Sequence, residues 1–223
     1  MIPQRVRPGA ADARTPTGGA SPAFDVVVIG TSAGGLSAVA ALLDGLPSAF
    51  PVPVVLVLHL SPDRPSLLVD VLARRTRLRV QWAVDGGRLE AGTVHVAPPN
   101  HHVVFKADGT LLLVQSPRIH YSRPSVDMLF ASAAQAFGSR TLAIILTGTG
   151  NDGSDGVPVV RRHGGVVIAQ DEASSQFFSM PREAIESGAV SFVLPLSAIA
   201  PEICRLVALG VAGGGVGGTP VAN

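Results

Sequence analysis

Short runs of consecutive apolar, mostly β-branched residues recur along the chain, each followed by a turn marked by glycine or proline. Residues 25–29 (Asp-Val-Val-Val-Ile) stop at Gly30, and 54–58 (Val-Val-Leu-Val-Leu) form a second run. Residues 142–146, 166–169 and 192–194 repeat the pattern. Apolar character that is continuous rather than alternating predicts strands buried on both faces, as in a parallel sheet covered by helices. The intervening stretches supply those helices. Residues 34–46 are helix-compatible up to Pro47, and 65–75 carry Pro65 near the first turn and Arg74 and Arg75 at the negative helix end. Residues 126–137 predict a helix, as do 155–163, which close on Gly164 and Gly165. At 181–186 a helix starts with Pro181 in its first turn. Segment 78–114 breaks the rhythm with short pieces separated by Asp-Gly-Gly, Pro-Pro-Asn and Asp-Gly turns, and predicts a hairpin-bearing β insert. The fold class that follows is α/β: a doubly wound, mostly parallel sheet with helices on both faces and a small β-hairpin insert.

Composition narrows the organisation. Of 223 residues, 47% are apolar and 15% charged, which suits one domain with a substantial core. Residues 1–23, rich in Pro, Gly, Ala and Thr without periodicity, are expected to be a disordered leader, and 209–223 a flexible Gly-rich tail. The formal charge of +1 is spread over interspersed acids and bases. It gives no electrostatic case for a nucleic-acid partner, and no polybasic run suggests a membrane surface. Cys204 is the single cysteine, so an internal disulfide is excluded; its apolar neighbours read as a buried small hydrophobe. No apolar run reaches the ~18 residues of a membrane-spanning helix. The leader also lacks the apolar core of a secretory signal, and a cytoplasmic location is expected.

In doubly wound sheets the ligand site lies beyond the carboxyl ends of the strands, so chemistry is sought there. Ser32 follows the first strand in Gly30-Thr31-Ser32-Ala33-Gly34, a Gly-x-Ser-x-Gly pattern. Flanking glycines allow the tight turn that exposes a nucleophilic serine, and the next helix offers unpaired N–H groups, with Ala33 as an oxyanion donor. A plain helix N-cap serine is the competing reading. His59 ends the second strand, one strand–helix–strand unit further on, where a general base could reach Ser32. Asp152 lies in the loop 147–156 after the third long strand, where a carboxylate could orient His59; Asp155 competes within the same loop. An EF-hand reading of that loop fails because Arg162 occupies the position of the required glutamate. A dinucleotide fingerprint would want glycine at Ser32 and an acid at His59, and no Gly-Lys-Ser/Thr follows for a P-loop. No spacing among His95, His101, His102 and His120 resembles a set of zinc ligands, and His163 reads as a cation at a helix C-terminus.

The same residues resemble the catalytic domain of the CheB-type chemotaxis receptor methylesterases. The resemblance rests on 28–35 (Val-Ile-Gly-Thr-Ser-Ala-Gly-Gly), 58–62 (Leu-His-Leu-Ser-Pro), 97–100 (Ala-Pro-Pro-Asn) and 123–127 (Arg-Pro-Ser-Val-Asp). It continues through 145–153 (Ile-Leu-Thr-Gly-Thr-Gly-Asn-Asp-Gly), 169–173 (Ala-Gln-Asp-Glu-Ala) and 180–184 (Met-Pro-Arg-Glu-Ala), in the same order. It implies a catalytic domain over 24–208, hydrolysis of γ-glutamyl methyl esters on receptor helices, glutamine deamidation as a companion activity, and no cofactor. The family's triad falls on Ser32, His59 and Asp152; Ala33, Thr149 and Gly150 are the oxyanion candidates, and Arg123 and Arg182 the substrate-positioning ones. Two positions depart from the best-known members, where threonine is common in place of Ala33 and methionine in place of Thr149. A leader of about 23 residues is too short for the phospho-receiver domain many relatives carry, so no attached receiver is expected. The alternative is a non-catalytic regulatory or scaffold member of the same fold, against which retention of all three triad residues argues.

Overall fold

In the first strand, β1 (Val26–Thr31), every residue is buried, and successive side chains serve opposite layers. Val27 and Ile29 join one core cluster, Val26 and Val28 the other. The same split recurs in β2 (Val54–Leu58) and in β7 (Thr141–Ile145), where Leu142 and Ile144 face one way and Ala143 and Ile145 the other. This two-sided burial is why the runs read as continuous apolar stretches. The structure is a computed structural model, and it describes residues 21–59 and 66–209.

Seven strands form one sheet in the order β3-β4-β2-β1-β7-β8-β9, and every pairing within it is parallel. Besides the three central strands these are β3 (Arg79–Trp82), β4 (Thr93–Val96), β8 (Val166–Gln170) and β9 (Phe192–Leu194). The remaining strands, β5 (His102–Phe105) and β6 (Leu111–Val114), make a separate antiparallel hairpin. Helices α1 (Gly35–Asp44), α2 (Leu68–Ala73) and α6 (Leu196–Leu209) cover one face. Helices α3 (Val126–Phe137), α4 (Gly156–Arg162) and α5 (Ser179–Glu186), with the hairpin, cover the other. In α3 the buried residues Val126, Leu129, Phe130, Ala133 and Ala134 fall on one stripe, and Ser125 caps its start.

Three features differ from the pattern-based expectation. The segment 78–114 is not wholly an insert: β4 joins the main sheet beside β2 and β3 forms its edge, and only β5 and β6 form the hairpin. Four-residue strands joined by turns carry too little pattern to distinguish the two. The helix expected over 65–75 is observed at Leu68–Ala73, with Pro65 outside the described residues. Helix α6 was not foreseen, although Ile199, Ala200, Ile203, Leu206 and Val207 make a buried stripe. Cys204 is half-buried against that same core. Most of the leader (1–20) and nearly all of the tail (210–223) lie outside the described residues. Ala23, at the end of the predicted leader, donates its N–H to the Val207 carbonyl of α6. Among the described residues no helix is long and apolar enough to cross a membrane.

Candidate active site

The strand order fixes where the candidate residues meet. The chain runs from β1 to β2 on one side and later returns to β7 on the other, so β1 is the point where the winding reverses. Ser32, His59 and Asp152 follow β1, β2 and β7, three neighbouring strands that end on the same rim. Thr31 pairs with Leu58, which puts Ser32 and His59 one step beyond the same register position. The Ser32 N–H donates to the Thr147 carbonyl at 3.1 Å, tying the serine turn to the end of β7.

Asp152 is 3% exposed and accepts four hydrogen bonds. Its Oδ2 lies 2.8 Å from His59 Nε2 and accepts the Val126 N–H at 2.8 Å. Its Oδ1 accepts the Ser125 hydroxyl at 2.8 Å and the Asp127 N–H at 3.0 Å. The carboxylate thus sits on the N-terminus of α3, where unpaired N–H groups and the helix dipole favour an anion. Burial, the largest single influence, pushes its pKa up; the hydrogen bonds from His59, Asp127 and Val126 together outweigh that and hold it below the usual carboxylate value.

An ionised carboxylate only accepts, so the His59 nitrogen facing it carries the proton. That nitrogen is Nε2, which leaves Nδ1 unprotonated and able to accept a proton. The His59 side chain is 18% exposed, between the buried acid and the open rim. Among the described residues no hydrogen bond joins Ser32 Oγ to His59; such contacts tighten with substrate bound. Gly34, at φ 75°, caps α1 and lets the chain turn directly behind Ser32. Neither the Ala33 nor the Gly34 N–H is engaged in a hydrogen bond within the described residues. Both are available at the start of α1 for a developing oxyanion.

The other sequence candidates separate. Thr149 and Gly150 are exposed on the loop after β7, and Gly150 accepts from Ser179 Oγ at 3.1 Å. Arg123 directs Nε and one Nη to Asn100 Oδ1 (3.1 and 2.6 Å) and the other Nη to the Ser116 carbonyl at 2.7 Å, lashing two loops together. Arg182 is exposed on α5, whose start is held to the β7 loop by the Met180 N–H to Gly148 carbonyl bond at 3.0 Å. Asp155, the competitor of Asp152, is the exposed N-cap of α4 and stands 3.3 Å from His120 Nε2 instead of reaching His59. Asp127, buried beside Asp152, is pushed up to about 6 by desolvation and by the neighbouring charge, against the N–H groups of Gly156 and Gly153.

Sequence reasoning missed Ser125 and Thr147. Ser125 is fully buried and joins the cap of α3 to Asp152; a serine just before an apolar helical run was the available signal. Thr147 Oγ1 accepts the Phe177 N–H at 2.8 Å and donates to the Ala33 carbonyl at 3.1 Å, bracing the Ser32 turn. Its backbone N–H donates to the buried Gln170 Oε1 at 2.9 Å.

Known proteins share the fold and much of the sequence. The family profile described as CheB methylesterase matches residues 27–203. The chain is 42% identical to the protein-glutamate methylesterase FrzG of Myxococcus xanthus, over 83% of this chain and 56% of that protein. It is 45% identical to a protein-glutamate methylesterase/protein-glutamine glutaminase of Anaeromyxobacter dehalogenans, over 78% of this chain and 51% of that one. The chain therefore spans about half the length of these relatives. Its fold matches the crystal structure of the Thermotoga maritima CheB methylesterase catalytic domain with a TM-score of 0.79 at 37% identity, covering 82% of this chain and 99% of that one. By motif order, strand topology and profile match alike, this chain belongs to the CheB methylesterase family.

Proposed function

We propose that the chain is a serine esterase that removes methyl groups from glutamate side chains on the cytoplasmic helices of chemoreceptors. The observation that carries the reading is the 2.8 Å His59–Asp152 contact on the rim where the Ser32 turn ends the middle strand. Ser32 Oγ attacks the ester carbonyl while its proton passes to His59 Nδ1. The C–O bond to methoxide then breaks, and His59 returns the proton to release methanol. Water attacks the acyl-serine with His59 again as base, freeing the glutamate carboxylate and regenerating Ser32. Asp152 stays ionised throughout and stabilises the imidazolium. The Ala33 N–H receives the oxyanion, and the exposed Arg182 is the residue left to meet an acidic substrate helix. A glutamine side chain would follow the same course with ammonia leaving, in keeping with relatives named protein-glutamate methylesterase/protein-glutamine glutaminase.

The test is methanol release from a methylated receptor peptide by the purified chain. Ser32→Ala is expected to abolish release while the circular dichroism spectrum stays unchanged. Equal turnover in that variant overturns the proposal.

A further inference from the structure

Although no spacing along the sequence suggests a metal site, the fold assembles a ligand cluster on the flank of α3 and α4. His120 Nε2 stands 3.3 Å from Asp127 Oδ2 and 3.3 Å from Asp155 Oδ2. All three ligand atoms lie within 4.8 Å of one another. Metal bonds of about 2.0–2.2 Å at the tetrahedral angle set donor atoms roughly 3.4 Å apart, so the two histidine distances are those of ligands around a common centre.

A second observation points to a ligand. Asp127 is 7% exposed, and its Oδ2 has no hydrogen-bond partner. Its other oxygen accepts the Asp155 N–H at 3.1 Å and the Gly156 N–H at 2.7 Å, which fixes the side chain with Oδ2 directed at the cluster. The His120 nitrogen directs its hydrogen bond to Asp155, at 3.3 Å, so the buried Asp127 Oδ2 is left with the ion-pair distance to His120 and no hydrogen bond. A buried carboxylate oxygen without a donor is costly, and a cation shared with His120 and Asp155 removes that cost.

We propose that His120, Asp127 and Asp155 bind a divalent transition-metal ion of the zinc class, with water completing its coordination. One imidazole and two carboxylates are borderline-to-hard donors that suit Zn²⁺, Co²⁺ or Mn²⁺. Three protein ligands leave at least one position open. The site adjoins the proposed triad, because the Asp127 N–H donates to Asp152, yet it shares no side chain with it.

The experiment is titration of the full chain with Co²⁺, reading the visible d–d bands, followed by displacement with Zn²⁺. One Co²⁺ per chain is expected, with bands that vanish on adding Zn²⁺ or a chelator. His120→Ala, Asp127→Asn and Asp155→Asn are each expected to weaken binding about tenfold or more. Asp127→Asn keeps the oxygen that accepts two N–H groups. Asp155, whose side chain is 79% exposed, supplies a variant with little bearing on folding. His59→Ala is expected to leave the bands intact. Absence of bands at millimolar Co²⁺ overturns the proposal. So do bands that persist in both His120→Ala and Asp155→Asn, or that disappear in His59→Ala.

Discussion

Ser125→Ala offers the sharpest test of how the helix start holds the acid of the site. The hydroxyl is fully buried and does two things: it donates to Asp152 Oδ1 at 2.8 Å and accepts the Met128 N–H at 3.4 Å. A hydrogen bond to a charged group contributes about 1.5–3 kcal/mol. The cap bond is long, so the low end of the capping range, about 0.5 kcal/mol, applies to it. The expected cost is therefore about 2–3.5 kcal/mol. For a domain of this size that lowers Tm by roughly 4–14 °C. Asp152 keeps the Val126 and Asp127 N–H groups and His59, so the site is loosened and not dismantled. Esterase kcat/KM is expected to fall about tenfold, the equivalent of 1.4 kcal/mol in the barrier. Asp152→Asn should cost on the order of 10³–10⁴ by disturbing the tautomer of His59. Guanidinium unfolding and methanol release on the same preparations supply both numbers. A Ser125→Ala stability change below about 0.5 kcal/mol would refute the reasoning, since a cap worth that little carries no bond to a buried charge.

Other outcomes follow from neighbouring contacts. A methyl group at Gly30 would overlap Val126 Cγ1; Gly30→Ala is expected to cost about 1–3 kcal/mol, and Val126→Ala on the same chain should recover part of it, whereas strictly additive unfolding energies contradict the clash. Thr147→Val leaves the Phe177 N–H without its 2.8 Å acceptor and should cost about 1–3 kcal/mol, while Thr147→Ser, keeping the oxygen, should cost clearly less by the same denaturation assay. Asp152 is held below its ordinary value of 3.8, so its charge contributes stability above that value that is lost as the pH falls through the folded-state pKa. In an Asp127→Asn background, which removes the coupled neighbour that titrates at about 6, the Tm gap between the chains with and without Asp152→Asn is thus expected to be level above about pH 5 and to narrow in acid; a gap that widens on acidification there has the wrong sign.

The central sheet was legible because β1, β2, β7 and β8 are buried on both faces, and each contains an unbroken apolar run. The rim position of Ser32, His59 and Asp152 followed from that, since a parallel sheet sends every strand end to one side. What escaped the pattern was long-range or weak. β3 is half-exposed at the sheet edge, so its four residues carry no burial signature. Helix α6 contains Pro201, a residue that reads as a breaker although the buried stripe through Ile199 and Ile203 continues across it. Asp155 and Asp152 could not be separated by spacing; the choice depends on α3, whose start arrives from twenty-five residues upstream in sequence to receive Asp152. His120 had no readable partners at all, because its two carboxylates come from the starts of different helices.

Gly30 has a structural role that its motif does not suggest. In the Gly-x-Ser-x-Gly pattern the first glycine is naturally assigned to the bend that exposes the serine. In the fold, Gly30 lies inside β1, paired with Val57 on one side and Ile145 on the other, and the left-handed turn is made by Gly34. The absent side chain at Gly30 instead makes room for Val126, the first residue of α3. That close approach brings the Val126 N–H to Asp152 Oδ2, the same oxygen that holds His59 Nε2. The glycine two positions before Ser32 therefore acts through α3 on Asp152, the acid of the proposed triad. A larger residue there would push the helix start away from Asp152 before it disturbed the Ser32 turn. Its defect should then appear as a weakened His59–Asp152 pair and not as a misplaced serine. A fluorophosphonate probe that labels Ser32 separates the two. In Gly30→Ala, labelling that falls and is recovered by Val126→Ala fits displacement of the helix, whereas labelling that stays low in the double variant means a misplaced serine.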